Sequence, residues 1–137
     1  MIKENKSFKR GDVVLINLGV GNNSIQGGLN RPCVIISNNL NNMHSPNYQI
    51  LPITSKMSKK ALPTHILVKK EMCDIKFDSV ILCEQIGIIS KSQVISEEPL
   101  FTLNNEILRS VEIGVMIQLG LNMVSTPKVN TNRMAFV

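Results

Sequence analysis

Two histidines, three cysteines and a modest set of basic side chains are the residues through which this chain could do chemistry. The cysteines, Cys33, Cys73 and Cys83, are odd in number and form no C-x-x-C pair. That argues against both a disulfide framework and a zinc site. Cys33 and Cys83 lie inside apolar runs and read as small core residues. His65 follows Pro63-Thr64 at the start of an apolar stretch and reads as a structural hydrogen-bonding residue rather than a general base. His44 sits in an Asn-rich segment and is expected at the surface, and Asp12 is expected to anchor the first strand. The basic residues cluster at Lys3, Lys6, Lys9 and Arg10 and again at Lys56, Lys59 and Lys60, with a formal net charge of +5. Such a balance suits a phosphate-rich partner, although ordinary solubilising charge gives the same number. With no Trp, one Tyr and four Phe, an extended base-stacking platform is not expected.

These side chains must be carried by short elements. Val13–Leu18 reads as a strand, and residues 17–30, with four glycines, as a loop. Pro32–Ile36 is a continuous apolar run that reads as a central strand with its proline at the start. Asn38, Asn39, Asn41 and Asn42 mark a loop; Tyr48–Thr54 is a third strand, in which Pro52 points to an edge or a bulge. Ser55–Pro63 is a lysine-bearing loop, followed by strands at Thr64–Val68 and Ser79–Cys83 and a short one at Leu100–Leu103. Ser90-Lys91-Ser92-Gln93 has the spacing of a capping box. Over Asn104–Leu121 the positions Ile107, Leu108, Val111, Val115 and Leu119 recur at helical spacing, while Ile113, Met116 and Ile117 make the C-terminal half apolar on a second face. In so small a domain a second subunit is one surface able to cover that face, and a loop is another.

The chain has 137 residues, 43% hydrophobic and 18% charged, which fits one globular domain with one core. We expect a single domain over residues 1–124 and a loose tail over 125–137. No apolar run approaches the ~20 residues of a membrane span, and the polar, basic start is not a secretory signal. The expected location is cytoplasmic.

Several segments, taken together and in order, resemble the MazF/PemK toxins. They are Arg10-Gly11-Asp12-Val13, the loop Ser24-Ile25-Gln26-Gly27-Gly28-Leu29-Asn30-Arg31-Pro32, and the strand Val34-Ile35-Ile36-Ser37-Asn38. Leu51-Pro52-Ile53-Thr54-Ser55, Pro63-Thr64-His65, the run from Asp78 to Ile86 (DSVILCEQI) and the helix end Gln118-Leu119-Gly120-Leu121 complete the set, from about Lys9 to Val124. The resemblance implies an α+β fold, a small SH3-like antiparallel β-barrel with a C-terminal α-helix, in a homodimer. It implies cleavage of single-stranded RNA with neither metal nor cofactor, and a cognate antitoxin as partner.

Cutting RNA without a metal uses its own 2′-hydroxyl as nucleophile, so charge on the phosphoryl oxygens must be stabilised and protons moved. DNA, lacking the 2′-OH, is not a substrate for this chemistry. By the resemblance, Arg31 and Thr54 are the catalytic pair. The Arg31 guanidinium can fork onto phosphate oxygens, and its high pKa favours electrostatic stabilisation over proton transfer. The Thr54 hydroxyl can donate without adding charge; its other reading is a β-favouring residue at a strand end. Ser24, Gln26, Gly27, Gly28, Lys56 and Gln85 match positions expected to line the RNA groove. Polarity of turns and strands accounts for Ser24, Gln26 and Gln85 equally well, and plain turn geometry for Gly27 and Gly28.

Three positions depart from the family pattern: Ile25 where a glutamate is common, Asn30 as an apparent extra residue before Arg31, and Gly87 where an arginine is common. Groove charge and cleavage preference are expected to differ accordingly, or activity to be reduced. Two other readings use the same fold: a non-enzymatic toxin of the DNA-gyrase-inhibiting kind, and a degenerate member that only binds RNA or antitoxin. The joint presence of Arg31 and Thr54 in their local motifs favours the nuclease.

Overall fold

The computed structural model describes residues 7–21, 26–56, 62–73 and 75–121. Seven antiparallel strands run in chain order as β1 (Asp12–Ile16), β2 (Arg31–Ile35), β3 (Asn47–Thr54), β4 (His65–Val68), β5 (Ser79–Leu82), β6 (Gly87–Ser90) and β7 (Phe101–Thr102). Three helices, α1 (Asn39–His44), α2 (Lys70–Cys73) and α3 (Asn105–Leu119), accompany them. The sheet order is β4-β5-β3-β2-β1-β7, with β6 also on β3.

β3 is the hub. One edge pairs with β2 in the register Cys33↔Pro52 and Ile35↔Ile50. The other edge pairs with β6 over Asn47–Ile50 and then with β5 at Ile53 and Thr54. Pro52 therefore does not lie in an edge strand, since β3 is paired on both sides. It sits where β3 exchanges one neighbour for the next, a position that tolerates a residue without an amide hydrogen.

The sheet curls because the chain after β6 returns to β1. A 3-10 turn at Lys91–Gln93 carries the capping box read from the sequence: the Ser90 hydroxyl and Gln93 carboxamide each accept from the opposite backbone. Val94 then bridges Ile16, Ile95 N donates to Leu15 O at 2.8 Å, and Leu100 N donates to Val13 O at 2.8 Å. This return strand sets β1, β2, β3 and β6 around one apolar interior of Val14, Ile16, Cys33, Ile35, Tyr48, Ile50 and Ile89. The opposite faces of the same strands, alternating by one residue, contribute Val13, Val34, Leu51 and Ile53 to a second core with Val68, Ile81 and Cys83, closed by Ile107 and Val111 of α3. Each such fully buried Val, Leu or Ile side chain contributes about 1.5–3 kcal/mol.

α3 starts at Asn104, whose side chain accepts from Ile107 N at 2.8 Å, and ends at Gly120 in the left-handed conformation. Its core-facing residues Ile107, Val111 and Gly114 recur at the helical period. At Gly114 a Cβ would fall 2.8 Å from the Cys83 sulfur, so only glycine lets the helix settle this deep. The expected seating of Leu119 in the core is not observed: Leu119 is 57% exposed, with Ile117 at 42% and Leu121 at 55%. The last turn of the helix therefore leaves its apolar side chains exposed.

Three elements were not anticipated. The Asn-rich segment read as loop holds α1, because Asn38 caps it by accepting from Asn41 N and Asn42 turns inward to donate to Ser37 O. α2 and β6 are four residues each. The proposed tail, 125–137, lies outside the described residues. Among the described residues no helix is long and apolar enough to cross a membrane.

Candidate active site

Arg31 opens β2, flanked by β1 through the pair Ile16↔Arg31. The β2–β3 pairing ends at Cys33↔Pro52, two residues after Arg31 on β2 and two before Thr54 on β3. The two residues that the motifs single out thus lie at neighbouring strand ends, each two residues beyond the last β2–β3 pair, and the Arg31 guanidinium reaches the carbonyl of Ile53, the residue before Thr54.

The guanidinium is held in place. Nη2 donates to Gln26 Oε1 at 2.8 Å and to the Ile53 carbonyl at 3.3 Å. Nε is buried and meets no acceptor among the described residues, so this side chain still has a donor to give. The Arg31 stem lies over Gly28, which takes φ +126°; a Cβ there would meet Arg31 Cδ at 2.8 Å and Cγ at 3.0 Å. Gly28 N donates to Gly19 O at 2.8 Å and its carbonyl accepts from Leu18 N at 2.9 Å, pinning the end of the loop to the segment after β1. Gly27 packs so tightly on the Gly21 backbone that no side chain fits. The extra residue Asn30 is accommodated in the turn between Gly28 and β2 and leaves Arg31 on the sheet.

Gln26 is itself fixed, its backbone N–H donating to Gln85 Oε1 at 2.9 Å. Gln85 follows β5, so the loop before β2 and the turn before β6 are joined beside Arg31. Thr54 is 8% exposed, and its hydroxyl oxygen accepts from Lys56 N at 3.1 Å. The hydroxyl hydrogen remains to be donated. Lys56 is exposed two residues on. Ser24 and Ile25 lie outside the described residues.

The other candidates have structural partners. His65 Nδ1 accepts from Leu62 N at 3.3 Å, which leaves the hydrogen on Nε2, 2.9 Å from Glu84 Oε1. The second Glu84 oxygen accepts from Thr64 Oγ1 at 3.0 Å. Asp12 accepts from Lys9 N at 2.8 Å and Thr102 Oγ1 at 2.7 Å, tying β1 to β7. Arg10 reaches Glu112 of α3 at 2.9 Å. The Cys33 thiol, close behind Arg31, is pushed up to about 12 by burial, against a smaller lowering from the Arg31 charge. The Cys83 thiol is likewise pushed up to about 12, by burial first and by Glu84 second. Both sulfurs are protonated and unreactive near neutral pH.

Two clefts adjoin the Arg31–Gln26 bond. The larger, about 610 Å³, is lined by Gln26, Gln85, Gln93, Leu18, Pro52 and Gly87 among others. Its amides can both donate and accept, and the missing side chain at Gly87 widens it. The smaller, about 270 Å³, is lined by Arg31, Pro32, Ile53, Lys76, Phe77 and Leu100 among others. Lys76 and Phe77 were not among the sequence candidates. No spacing rule marks them, because α2 and the short turn after it bring them to Arg31 only in three dimensions.

Residues 9–119 match the family model described as PemK-like, MazF-like toxin of type II toxin-antitoxin system. A curated Endoribonuclease MazF from Staphylococcus saprophyticus is 37% identical over 121 residues, covering 88% of this chain and 98% of that protein. Among solved structures, MazF from Deinococcus radiodurans (Form-I) superposes with a TM-score of 0.70 at 21% identity, over 85% of this chain and 100% of that one. An endoribonuclease in complex with its cognate antitoxin, from Mycobacterial species, gives 0.64 at 19% identity over 85% and 97%. The curled antiparallel sheet with its C-terminal helix is their fold too, and the sequence and the family model together establish that this chain belongs to the PemK-like, MazF-like toxins of type II toxin–antitoxin systems.

Proposed function

We propose that the chain cuts single-stranded RNA at a phosphate held between Arg31 and Thr54. It is the toxin of a type II toxin–antitoxin system, and identity across nearly the whole of a curated relative makes it an endoribonuclease. The observation that carries the site assignment is the hold on the Arg31 guanidinium, whose Nη2 donates to Gln26 and to the carbonyl of Ile53, the residue before Thr54, with a donor to spare at Nε.

In the reaction, the 2′-oxygen forms a bond to phosphorus as the bond to the 5′-oxygen breaks, leaving a 2′,3′-cyclic phosphate and a 5′-hydroxyl. The 2′-OH proton is lost and the leaving oxygen gains one. Negative charge builds on the non-bridging oxygens, and a pre-positioned guanidinium and hydroxyl are stronger there than in water because they need not reorganise. No metal is required for any of these steps. Lys56 supplies charge along the strand, while Gln85 supplies an amide.

The exposed Ile117, Leu119 and Leu121 support a homodimer through the end of α3. The net charge of +5 supports an antitoxin segment that is acidic as well as apolar and folds as it binds. Cytoplasmic RNA is the substrate. The test is incubation of the full chain with a long RNA in excess chelator. Cutting to 5′-hydroxyl ends is expected, and complete loss of cutting on chelation would refute the metal-independent mechanism. Arg31→Ala should lower the single-turnover rate ~100- to 1,000-fold in a folded protein.

A further inference from the structure

We propose that the smaller cleft beside Arg31 is a subsite for one unstacked nucleobase, with the Phe77 ring as its stacking platform. This inference rests on the reading that RNA is cut at Arg31, and it assigns a residue that no motif supplied.

Four observations converge. Phe77 is 65% exposed, a large aromatic surface left in water in the turn between α2 and β5. Among the described residues the only ring pair is Phe8 with Tyr48, so Phe77 stacks on nothing. The cleft of about 270 Å³ that it lines shares a wall with Arg31. Finally, among the described residues the charged groups lining that cleft, Arg31 and Lys76, are both cationic, with no carboxylate beside them.

A groove that tracks a backbone with cations and offers an aromatic face to a base is the chemistry of single-stranded nucleic acid binding. A phosphate on Arg31 places an adjoining nucleotide at this opening. A duplex cannot use it, because its bases are already stacked.

The two clefts then divide the work. The larger one, across the Arg31–Gln26 bond, has the carboxamides of Gln85 and Gln93, which can read base edges. The Phe77 side has an apolar face, which any base can stack on and the larger purine ring covers best. Phe77 therefore supplies affinity, whereas the cut sequence is chosen elsewhere.

The experiment uses the full chain and a fluorescent oligoribonucleotide spanning a mapped cut site, made uncleavable by a 2′-O-methyl group at the cut. Binding is followed by anisotropy, with an abasic nucleotide placed at each position in turn. Wild-type protein should lose affinity about tenfold or more for one abasic position next to the cut. Phe77→Ala should show the same loss with intact RNA, no further loss at that abasic position, and an unchanged cut sequence. Phe77→Trp should restore affinity. If Phe77→Ala binds intact RNA as the wild type does, or keeps the abasic penalty, the subsite is wrong. So it is if the variant weakens only the binding of an acidic antitoxin peptide. A wild-type chain that cuts no RNA at all would instead overturn the reading on which the subsite rests.

Discussion

Gln26 accepts a hydrogen bond from Arg31 at 2.8 Å while its own backbone N–H is held by Gln85 at 2.9 Å. The bond gives Gln26 a task that its place in a groove motif did not disclose. Its carboxamide oxygen orients the guanidinium, and Gln85 in turn orients Gln26.

Gln26→Ala should therefore act on the chemical step. We expect the single-turnover rate at saturating RNA to fall about tenfold to a hundredfold, because a displaced catalytic group loses its alignment. KM and the cut sequence should change little. A variant with normal turnover but altered sequence preference would make Gln26 a base reader instead.

Gly28→Ala tests the same alignment from below. The new Cβ would meet the Arg31 stem at 2.8 Å, and φ +126° is strained for any L side chain. The Arg31 stem must move, so cleavage should fall severely. Stability should fall by about 1–2 kcal/mol, read from chemical denaturation.

Thr54→Val keeps the branched shape and removes the hydroxyl. Cleavage should slow clearly but less than in Arg31→Ala, since a neutral donor is lost and not a charge. Arg31→Lys should not restore full activity, because an ammonium cannot reproduce the planar fork. Single-turnover cleavage of a short RNA, with circular dichroism as a folding control, separates these outcomes.

Gly114→Ala should destabilise the fold although alanine is the better helix former by about 1 kcal/mol. Its Cβ would sit 2.8 Å from the Cys83 sulfur, and overpacking of this kind costs about 1–3 kcal/mol. Adding Cys83→Ala removes the obstructing sulfur and should recover most of the loss. Thermal unfolding of the two variants gives the comparison.

The buried thiols carry a pH signature. Cys33 and Cys83 titrate at about 12 in the fold against an ordinary 9.0. Their contribution is complete below pH 9 and is lost as pH rises from 9 towards 12, because the unfolded chain releases these protons first. In a Cys73→Ser background, neither thiol should react with iodoacetamide at pH 8 until denaturant is added. Rapid labelling of the native protein would show that the burial is wrong.

Much of this arrangement was legible in the sequence, for physical reasons that also mark where legibility ended. β1, β2, β3 and β5 announced themselves because strands buried on both faces read as unbroken Val- and Ile-rich runs, and β4 by its Ile-Leu-Val run although Leu67 is exposed. β6 did not: Gly87–Ser90 contains two apolar residues and owes its conformation to pairing with β3. α1 was hidden because asparagine marks loops on average, yet Asn38 and Asn42 here use their amides as cap and inward anchor. Arg31 and Thr54 came from local motifs, but the reach of Arg31 to the Ile53 carbonyl beside Thr54 depends on a pairing of β2 with β3 that no single motif contains. Phe77 was invisible for the same reason, since its neighbours are distant in sequence.

β3 is the common wall of both apolar cores, contributing Tyr48 and Ile50 to one and Leu51 and Ile53 to the other. Neither half can therefore melt while the other stays dry. Deuterium should enter the β3 amides last and at one common rate set by global unfolding, whereas the two-residue β7 should open early and on its own. A toxin built in this way has no half-folded form in which Thr54 is free of its strand, so its activity rises and falls with the whole domain.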